Sequence, residues 1–504
     1  MSENLASFVT DSAERFGDRP ALKLDDTVVN YALLNEGSAR IAKLLKDKGL
    51  ERGDRVGIML PNVPYFAIVY YGVLRAGGVV VPMNVLLKGR EVAFYLEDPG
   101  AKILFAWHDF GEAAGTGAEK AGAELISVKP GEFEQLLGET EADHDVADVS
   151  SDDTAVILYT SGTTGTPKGA ELTHGNLKKN AEVTADTLAH TTEDDVVLGA
   201  LPLFHSFGQT CGLNAGVYKG SCLTLIPRFD PAKAMEIIER DQVTIFQGVP
   251  TMYVAVLNLP DDKIRDASCL RLCVSGGSAM PVEVLKGFEE KFGCKVLEGY
   301  GLSETSPVAS FNHPDRDRKP GSIGTPVEGV EMKLVDDDGN DVEGTDEVGE
   351  IAIRGHNVMR GYWNRDDATK EVLDEDGWFR TGDMAKRDDD GYYFIVDRKK
   401  DMIIRGGYNV YPREIEEVLY EHPAVAEVAV VGVPDDKMGE EVGAAVVLKE
   451  GKEADADELR DFVKEQVANY KYPRKIWFPD ELPKGPTGKI LKREVEVPEE
   501  AKTA

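Results

Sequence analysis

Helical and strand-like spacings of apolar residues alternate along the first hundred positions of the chain. Residues 5–16 and, more clearly, residues 35–50 carry apolar side chains three and four positions apart, which predicts amphipathic helices. A further helix is predicted over 64–75, and the short apolar runs at 56–60 and 78–82 predict buried strands. Strands that alternate with helices in this way predict a parallel sheet with helices on both faces.

Three later apolar runs lead directly into glycines or hydroxyl-bearing residues. Residues 155–158 suit a buried strand, and 272–279 and 296–305 each read as a strand followed by a glycine turn. Loops that follow parallel strands lie at the same edge of a sheet, where ligands bind in such folds. The Gly-, Glu- and Asp-rich stretch 111–153 is predicted to be mostly connector.

The pattern changes from residue 321 onward. Short alternating segments separated by turns predict a small, barrel-like β subdomain. Five consecutive charges at 397–401 suit a solvated connector, and the helical and strand-like segments beyond it predict an α+β unit. The predicted fold class is therefore α/β. An N-terminal domain, 1–398, has layered, mostly parallel sheets with helices and the β subdomain, and a smaller α+β domain, 399–504, follows it.

The segment YTSGTTGTPKG, residues 159–169, has the composition of a loop that surrounds a polyphosphate. Its glycines permit backbone shapes that turn amide groups toward an anion, and its hydroxyls and lysine add donors and a positive charge. It is not a Walker A loop, because Pro167 and Gly169 occupy positions where that motif requires glycine and a hydroxyl residue. Composition alone supports phosphate binding only weakly, since clusters of Gly, Ser and Thr are common in loops.

Charge limits the classes of partner. The net charge is −33 and the isoelectric point is near 4.7, which argues against binding to nucleic acid or to an anionic membrane surface. Any site for an anionic ligand must then be a local positive patch. Acidic doublets and triplets are scattered along the chain, and our hypothesis is a protein from a high-salt cytoplasm. We expect activity to persist in molar KCl; an optimum at low salt with loss of activity in molar KCl would contradict this.

Cysteine usage and the N-terminus favour a cytoplasmic protein. The five cysteines show no zinc-ligand or disulfide pattern, so we interpret them as reduced core residues. The first residues have no charged-then-apolar leader. The longest apolar stretch, 65–87, is interrupted by Arg75, two glycines and Pro82, so no integral membrane segment is predicted.

The order of residues in 159–169 closely resembles the phosphate-loop signature of adenylate-forming enzymes, which include acyl-CoA synthetases, luciferases and peptide-synthetase adenylation domains. Further segments match that family's motifs in order as far as Lys489, near the end of the chain. The resemblance implies a two-step ligase that uses ATP and Mg²⁺ to form an acyl-adenylate and then transfers the acyl group to CoA. It also implies that the C-terminal domain is mobile.

The resemblance implies a nucleotide site in which Tyr300 packs on adenine, Asp383 binds the ribose hydroxyls and Glu304, with Thr164, holds Mg²⁺. Lys489, Thr164, Glu304 and His205 are the expected catalytic residues. Ser303 departs slightly from the threonine that most relatives carry. The residues expected to bind ATP or AMP are Thr160, Ser161, Gly162, Thr163, Thr164, Gly165, Lys168, Gly277, Ser278, Glu298, Gly299, Tyr300, Gly301, Ser303, Asp383 and Arg398.

The resemblance also implies an acyl pocket and a hinge. The acyl pocket is expected to contain His205, Phe207, Val249 and Gly276. The hinge and the CoA-binding loop are expected to contain Lys400, Arg405, Gly406, Gly407 and Tyr408. Ile404 and Gly406 stand where several relatives carry lysine, so Arg405 is the nearest cation for the CoA phosphates.

No charged selector is evident in the segments expected to line the pocket, which favours an apolar acyl group. A medium- or long-chain fatty acid is our first choice and an aryl acid the second. A stand-alone adenylation enzyme that loads a separate carrier protein and a luciferase-like oxygenase are the alternatives. A P-loop kinase or GTPase and a non-catalytic scaffold are disfavoured. The expected partners are the carboxylate, ATP and CoA, with a homodimer as the candidate assembly.

Overall fold

The computed structural model describes residues 2–160, 167–345, 347–435, 437–485 and 488–502. Its α-helices are α1 Ser7–Phe16, α2 Tyr31–Asp47, α3 Pro64–Arg75, α4 Gly89–Glu97, α5 Gly111–Ala121, α6 Glu132–Glu139, α7 His174–Val183, α8 Ala215–Lys219, α9 Pro231–Asp241, α10 Pro250–Leu257, α11 Val282–Phe292, α12 Asp366–Val372, α13 Pro412–Tyr420, α14 Ala456–Lys464 and α15 Glu499–Lys502. Two segments are π-helical: Thr184–Leu188 continues α7, and Phe207–Asn214 leads into α8.

The strands in the first part of the chain are β1 Pro20–Leu24, β2 Thr27–Asn30, β3 Arg55–Met59, β4 Val79–Pro82, β5 Ile103–Trp107, β6 Glu124–Val128, β7 Thr154–Thr160, β8 Lys168–Thr173, β9 Val196–Gly199, β10 Cys222–Leu225, β11 Ile245–Gly248, β12 Leu272–Ser275, β13 Val296–Gly301 and β14 Val308–Phe311. Those that follow are β15 Thr325–Pro326, β16 Val330–Val335, β17 Gly349–Gly355, β18 Gly361–Tyr362, β19 Phe379–Arg387, β20 Tyr393–Arg398, β21 Ile403–Arg405, β22 Tyr408–Val410, β23 Val425–Asp435, β24 Gly439–Leu448 and β25 Lys475–Trp477.

Two large sheets form the body of the protein. One has the strand order β15-β14-β13-β12-β11-β9-β10-β1-β2, and the other has the order β18-β8-β7-β4-β3-β5-β6. Each contains a run of parallel strands, from β13 to β1 in the first sheet and from β7 to β6 in the second. The predicted α/β class with layered, mostly parallel sheets is therefore confirmed.

One continuous core joins the two sheets. Helix α3 is almost entirely buried, and its side chains share a cluster with Val56 and Val156 of one sheet and Leu223 of the other. Burial on every face explains why α3 is apolar all round, in contrast to the amphipathic helix α2. The Asn30 side chain caps α2 by accepting a hydrogen bond from the backbone N–H of Leu33 at 2.8 Å.

Two smaller sheets complete the fold. The predicted β subdomain is an antiparallel sheet of order β16-β17-β19-β20, and the last sheet has the order β22-β21-β24-β23 with β25 paired to β24. This last sheet has a core of its own with helices α13 and α14. The α+β composition of the C-terminal region is thus confirmed, while its boundary at 398/399 stays a prediction.

The stretch 111–153 differs from the prediction of a connector, because it contains α5, β6 and α6. Helix α5 buries small residues, and a Cβ at Gly117 would lie 2.4 Å from Val92 of α4. Strand β6 lies at the edge of its sheet and exposes most of its side chains. A face of alanines and glycines lacks the large apolar residues on which the periodicity argument depends, and the edge strand is too short and too exposed to show clear alternation.

The five cysteines are free; Cys211, Cys273 and Cys294 are buried, while Cys222 and Cys269 are half-buried. The thiols of Cys273 and Cys294 lie 3.3 Å apart in the interior. In the described part of the chain, no helix combines the length and the apolar character needed to cross a bilayer.

Candidate active site

A cleft opens where the carboxyl ends of β12 and β13 face the C-terminal sheet. Gly277, Ser278, Gly299, Gly301 and Glu298 line it on one side, beside Tyr300. A Cβ at Gly301 would lie 1.7 Å from the carbonyl oxygen of Pro307, so glycine is required for this close approach. The predicted glycine turns thus meet at one edge of the sheet, as expected for parallel strands.

Asp383 and Arg398 lie opposite Tyr300 on neighbouring strands β19 and β20. The phenol of Tyr300 donates to Oδ2 of Asp383 at 2.6 Å, and Nε of Arg398 lies 3.1 Å from Oδ1. The Asp383 carboxylate raises the pKa of Arg398, and burial followed by the same carboxylate raises the pKa of Tyr300. The carboxylate is 4% exposed, so it is a fixed, buried acceptor that faces the cleft.

Lys489 reaches the same cleft from the C-terminal region. Its loop is closed by pairing of Lys484 with Ile490, and the Thr251 hydroxyl at the start of α10 donates to the carbonyl oxygen of Gly488 at 2.8 Å. Gly488 has φ +81°, and a Cβ there would lie 2.9 Å from the Thr251 hydroxyl. Burial, and then repulsion by Arg398, lowers the pKa of Lys489 to about 8.

This pKa predicts a basic limit on adenylate formation. The Lys489 ammonium is the major form below about pH 8 and is lost as the pH rises above that value, so a reaction that needs the cation slows there. We expect kcat/KM for ATP in pyrophosphate release to fall about tenfold per pH unit above pH 8.

The control for this profile is Lys484→Ala, because Lys484 belongs to the same loop but pairs with Glu427 at 2.7 Å. That variant should keep the decrease in kcat/KM above pH 8. Lys489→Arg should move this decrease to higher pH, since a guanidinium stays protonated. A wild-type profile that is flat to pH 10 would show that Lys489 is not the titrating group.

Glu304 lies in the one-turn 3₁₀ helix Ser303–Thr305, beside the end of β7 and the start of β8. Its Oε1 accepts hydrogen bonds from the Thr160 hydroxyl at 3.4 Å and from the Tyr362 phenol at 3.0 Å. The ammonium of Lys168 lies 5.2 Å from the centre of the Tyr362 ring. Ser161, Gly162, Thr163, Thr164 and Gly165 lie outside the described residues.

The chemistry of this site fits Mg²⁺. The described residues contain no cluster of three or more His, Cys, Asp or Glu arranged to hold a metal. Mg²⁺ is usually bound by one or two carboxylates together with substrate phosphates and water, rather than by a cage of protein ligands. A single oriented carboxylate, 8% exposed, with a lysine nearby to meet phosphate is therefore a suitable donor set.

Replacing Tyr362 with phenylalanine is expected to raise the Mg²⁺ concentration needed for half-maximal adenylate formation about tenfold, because the phenol orients the carboxylate of Glu304. The measurement is pyrophosphate release against free Mg²⁺ at saturating ATP. The matched control is Tyr392→Phe, whose hydroxyl donates to Asp317 O at 2.7 Å. Identical Mg²⁺ curves for the two variants would contradict the orienting role.

Glu298 is the second buried carboxyl of the cleft. Its Oε1 accepts a hydrogen bond from the Met280 backbone N–H at 3.1 Å. Burial raises the pKa of Glu298 to about 7, and the nearby Arg413 guanidinium opposes that rise. Arg413 belongs to α13 and donates to Ile395 O at 2.9 Å, so it fastens the start of this helix to the end of the small β sheet.

A second cavity joins the cleft at Gly277, Gly299 and Tyr300 and is lined by His205, Phe207 and Gly276. A Cβ at Gly276 would lie 3.0 Å from the Phe207 ring, so glycine makes room for that side chain. Burial, and then the charge of Lys489, lowers the pKa of His205 to about 4, so its imidazole is neutral. The backbone N–H of Phe207 donates a hydrogen bond to Nδ1 of His205 at 3.3 Å.

Val249 differs from its expected position. It is absent from the described lining of this cavity but lies beside Gly277, where the cavity joins the cleft, and beside Gly488. It follows β11 directly and so belongs to the contact between α10 and the lysine loop.

The residues predicted for the CoA loop are absent from the described lining of this cleft. Arg405 is paired with Glu441, its Nη2 lying 2.9 Å from Oε2, and that carboxylate raises the pKa of Arg405. Tyr408 is exposed and stacks on Tyr470. The described lining of the cleft also lacks Lys400, Gly406 and Gly407. Burial, and then Arg398, lowers the pKa of Lys400.

Two contacts of the site were not found from the sequence, although Thr251 belongs to the segment 249–252 that the resemblance places in the acyl pocket. Tyr362 follows a glycine in a two-residue strand, and Thr251 stands in an apolar run at the start of a helix. Each acts through a tertiary contact, Tyr362 with Glu304 and Thr251 with Gly488. The pairing of β18 with β8 could not be inferred from residues more than 180 positions apart.

Comparison with known proteins identifies the family. The family model described as AMP-binding enzyme matches residues 9–363, and the AMP-binding enzyme C-terminal domain matches 414–489. The chain is 39% identical to a long-chain-fatty-acid–CoA ligase of Bacillus subtilis (strain 168), covering 98% of this chain and 94% of that protein. It is 38% identical to a feruloyl-CoA synthase of Amycolatopsis sp, covering 98% and 99%.

A solved structure agrees with these matches. The anthranilate CoA ligase AuaEII in complex with anthranoyl-AMP superimposes with a TM-score of 0.92 at 30% identity, covering 98% of this chain and 96% of that one. Both family models match in order and together span most of the chain. The chain therefore belongs to the AMP-binding enzyme family and is an ATP-dependent, AMP-forming acid–thiol ligase.

Proposed function

We propose that this ligase joins a carboxylic acid to CoA through an acyl-adenylate. ATP, Mg²⁺ and CoA are the co-reactants of this class of enzyme. The observation that carries the proposal is the meeting of Lys489 with Asp383 and Arg398 in one cleft that opens into an uncharged cavity. This arrangement supports a nucleotide in the cleft with its α-phosphate beside an acid held in the cavity.

In the first step a carboxylate oxygen of the acid attacks the α-phosphorus of ATP, and the bond to the β-phosphate bridging oxygen breaks to release pyrophosphate. Asp383 accepts hydrogen bonds from the ribose hydroxyls and fixes the nucleotide. Lys489 places a positive charge where negative charge develops on the phosphate oxygens. Glu304, together with Thr164 as the resemblance implies, would hold Mg²⁺, and the ion would supply positive charge at the phosphates.

In the second step the thiol sulfur of CoA attacks the acyl carbon, the bond to the AMP oxygen breaks so that AMP leaves, and the thiol proton is released to solvent. Arg405 and Tyr408 are absent from the described lining of the cleft in the present conformation. Their absence there supports the proposal that the C-terminal domain turns about Lys400 between the steps, which withdraws Lys489 and brings the 405–408 loop to the cleft. Arg405 would then have to leave Glu441 to meet a CoA phosphate.

The described lining of the cavity has no charged side chain, which supports an uncharged acyl group. Two classes of acid meet this condition. A medium- or long-chain fatty acid agrees with the B. subtilis relative. An aryl acid agrees with the feruloyl-CoA synthase and with the rings of Phe207 and Phe311 in the cavity wall.

The five free thiols support a reducing, cytoplasmic location.

The test is pyrophosphate release with ATP, Mg²⁺ and a panel of fatty and aryl acids, with and without CoA, in low salt and in about molar KCl. CoA-dependent turnover that forms AMP and a thioester is the expected result. Turnover that is indifferent to CoA would favour a carrier-loading enzyme, and light emission on oxygenation would favour a luciferase-like activity. No turnover with any acid would overturn the proposal.

A further inference from the structure

The wall of the acyl cavity contains three hydroxyl groups without partners. Thr184, Ser206 and Ser275 all line this cavity and are 5%, 0% and 0% exposed. Within the described residues, the hydroxyl oxygen of each lacks a hydrogen-bond partner. The Thr184 hydroxyl lies beside the Cys211 thiol, which is a weak hydrogen-bonding group.

These hydroxyls come from three separate elements. Thr184 begins the π-helical segment after α7, Ser206 immediately precedes the second π-helical segment, and Ser275 ends β12. π-Helical turns occur frequently at functional sites, and here both of them border one cavity. Convergence of three unpaired groups from distant parts of the chain indicates a site built for a polar ligand group.

An aliphatic chain would leave these groups unsatisfied. Buried polar atoms are nearly always hydrogen-bonded, and an apolar ligand offers them neither donor nor acceptor. Gln247 adds a fourth polar side chain to the lining, and its amide donates to the Cys211 carbonyl at 3.0 Å. The rest of the described wall includes Leu188, Val274 and Phe311, so polar groups are placed at defined points in an otherwise apolar surface.

The cavity is also small. Its volume is about 60 Å³, against about 210 Å³ for the nucleotide cleft. At about 15 Å³ for each water, this is room for roughly four waters, so a compact acyl group fits better than an extended alkyl chain. A compact acid brings any substituent at its far end within reach of the cavity wall.

We propose that the acid taken by this enzyme is compact and carries a hydrogen-bonding substituent, a hydroxyl or an amine, on the part of the acyl group inside the cavity. The inference rests on the proposed function, since it takes the cavity as the acyl site. The substituent pairs with one or more of the Thr184, Ser206 and Ser275 hydroxyls. Both the aryl class and ω-hydroxylated short-chain acids meet this description.

The experiment compares acids that differ by one hydroxyl, namely cinnamate with 4-hydroxycinnamate and hexanoate with 6-hydroxyhexanoate. The readout is kcat/KM for CoA-dependent pyrophosphate release by the full-length enzyme. We expect the hydroxylated member of at least one pair to be favoured about 10- to 100-fold, because a pocket that hydrogen-bonds a substrate group discriminates against the analogue that lacks it.

Variants identify the responsible groups. Ser206→Ala, Ser275→Ala and Thr184→Val should reduce the preference, at least one of them about tenfold, mainly by lowering kcat/KM for the hydroxylated acid. The matched control is Thr210→Val, because the Thr210 hydroxyl is also buried and unpaired but lies outside the described lining of the cavity. This control should keep the preference.

Each outcome decides the inference. Equal kcat/KM within both pairs, or a preference for the unsubstituted acids, would overturn it while leaving the ligase activity established, and would mean that water pairs with the hydroxyls. A preference that survives all three variants would overturn it as well. Absence of turnover with every acid would instead overturn the proposed function on which it rests.

Discussion

Replacing Lys489 with alanine is expected to slow acyl-adenylate formation by about 10²- to 10³-fold, while thioester formation from a supplied acyl-adenylate stays near the wild-type rate. The cation contributes where charge develops on the α-phosphate, and it is held in the cleft by the Thr251 contact with Gly488. The second step needs no such charge and, in our proposal, takes place after the lysine has withdrawn. The two half-reactions are measured separately as pyrophosphate release and as thioester formation.

Lys484→Ala is the matched control for this experiment, since it removes a lysine of the same loop that pairs with Glu427 outside the cleft lining. It should leave both half-reactions nearly unchanged. An equal loss of both half-reactions in Lys489→Ala would show that the role assigned to this lysine is wrong.

Replacing Asp383 with asparagine is expected to raise KM for ATP about 10- to 100-fold. The carboxylate accepts a hydrogen bond from Tyr300 on one oxygen and pairs with Arg398 through the other, whereas asparagine offers a single, uncharged acceptor oxygen and cannot replace both contacts. Loss of a hydrogen bond to a charged group costs about 1.5–3 kcal/mol, which corresponds to this range. AMP affinity measured by calorimetry should fall in parallel, because the ribose contact does not depend on the acid.

The control is Asp337→Asn, which removes an exposed carboxylate that pairs with Lys399 at the surface. Thermal unfolding of both variants separates a binding defect from a folding defect. Unchanged KM and AMP affinity in a folded Asp383→Asn protein would exclude the ribose-binding role.

Much of the fold follows from local pattern. The 64–75 helix is observed with the predicted bounds, and β7 and β12 end where apolar residues give way to hydroxyls and glycines. The three-dimensional meeting of Tyr300 with Asp383 could be expected only because the motifs resemble a known family. Tyr362 and Thr251 carry no local signal, since their value depends on partners far along the chain. Similarly, the unpaired hydroxyls of Thr184 and Ser275 can be recognised only when burial and partners are known.

The hydrogen bond between Thr251 and Gly488 joins two neutral groups, and such a bond contributes about 1 kcal/mol. If the lysine loop leaves the cleft once in every catalytic cycle, this modest contribution is an advantage. A much stronger contact would slow the departure of the loop after the adenylate has formed. A much weaker contact would leave ATP bound without the Lys489 ammonium beside it. The strength of this contact thus helps to set the relative populations of the conformation that forms the adenylate and the conformation that transfers the acyl group.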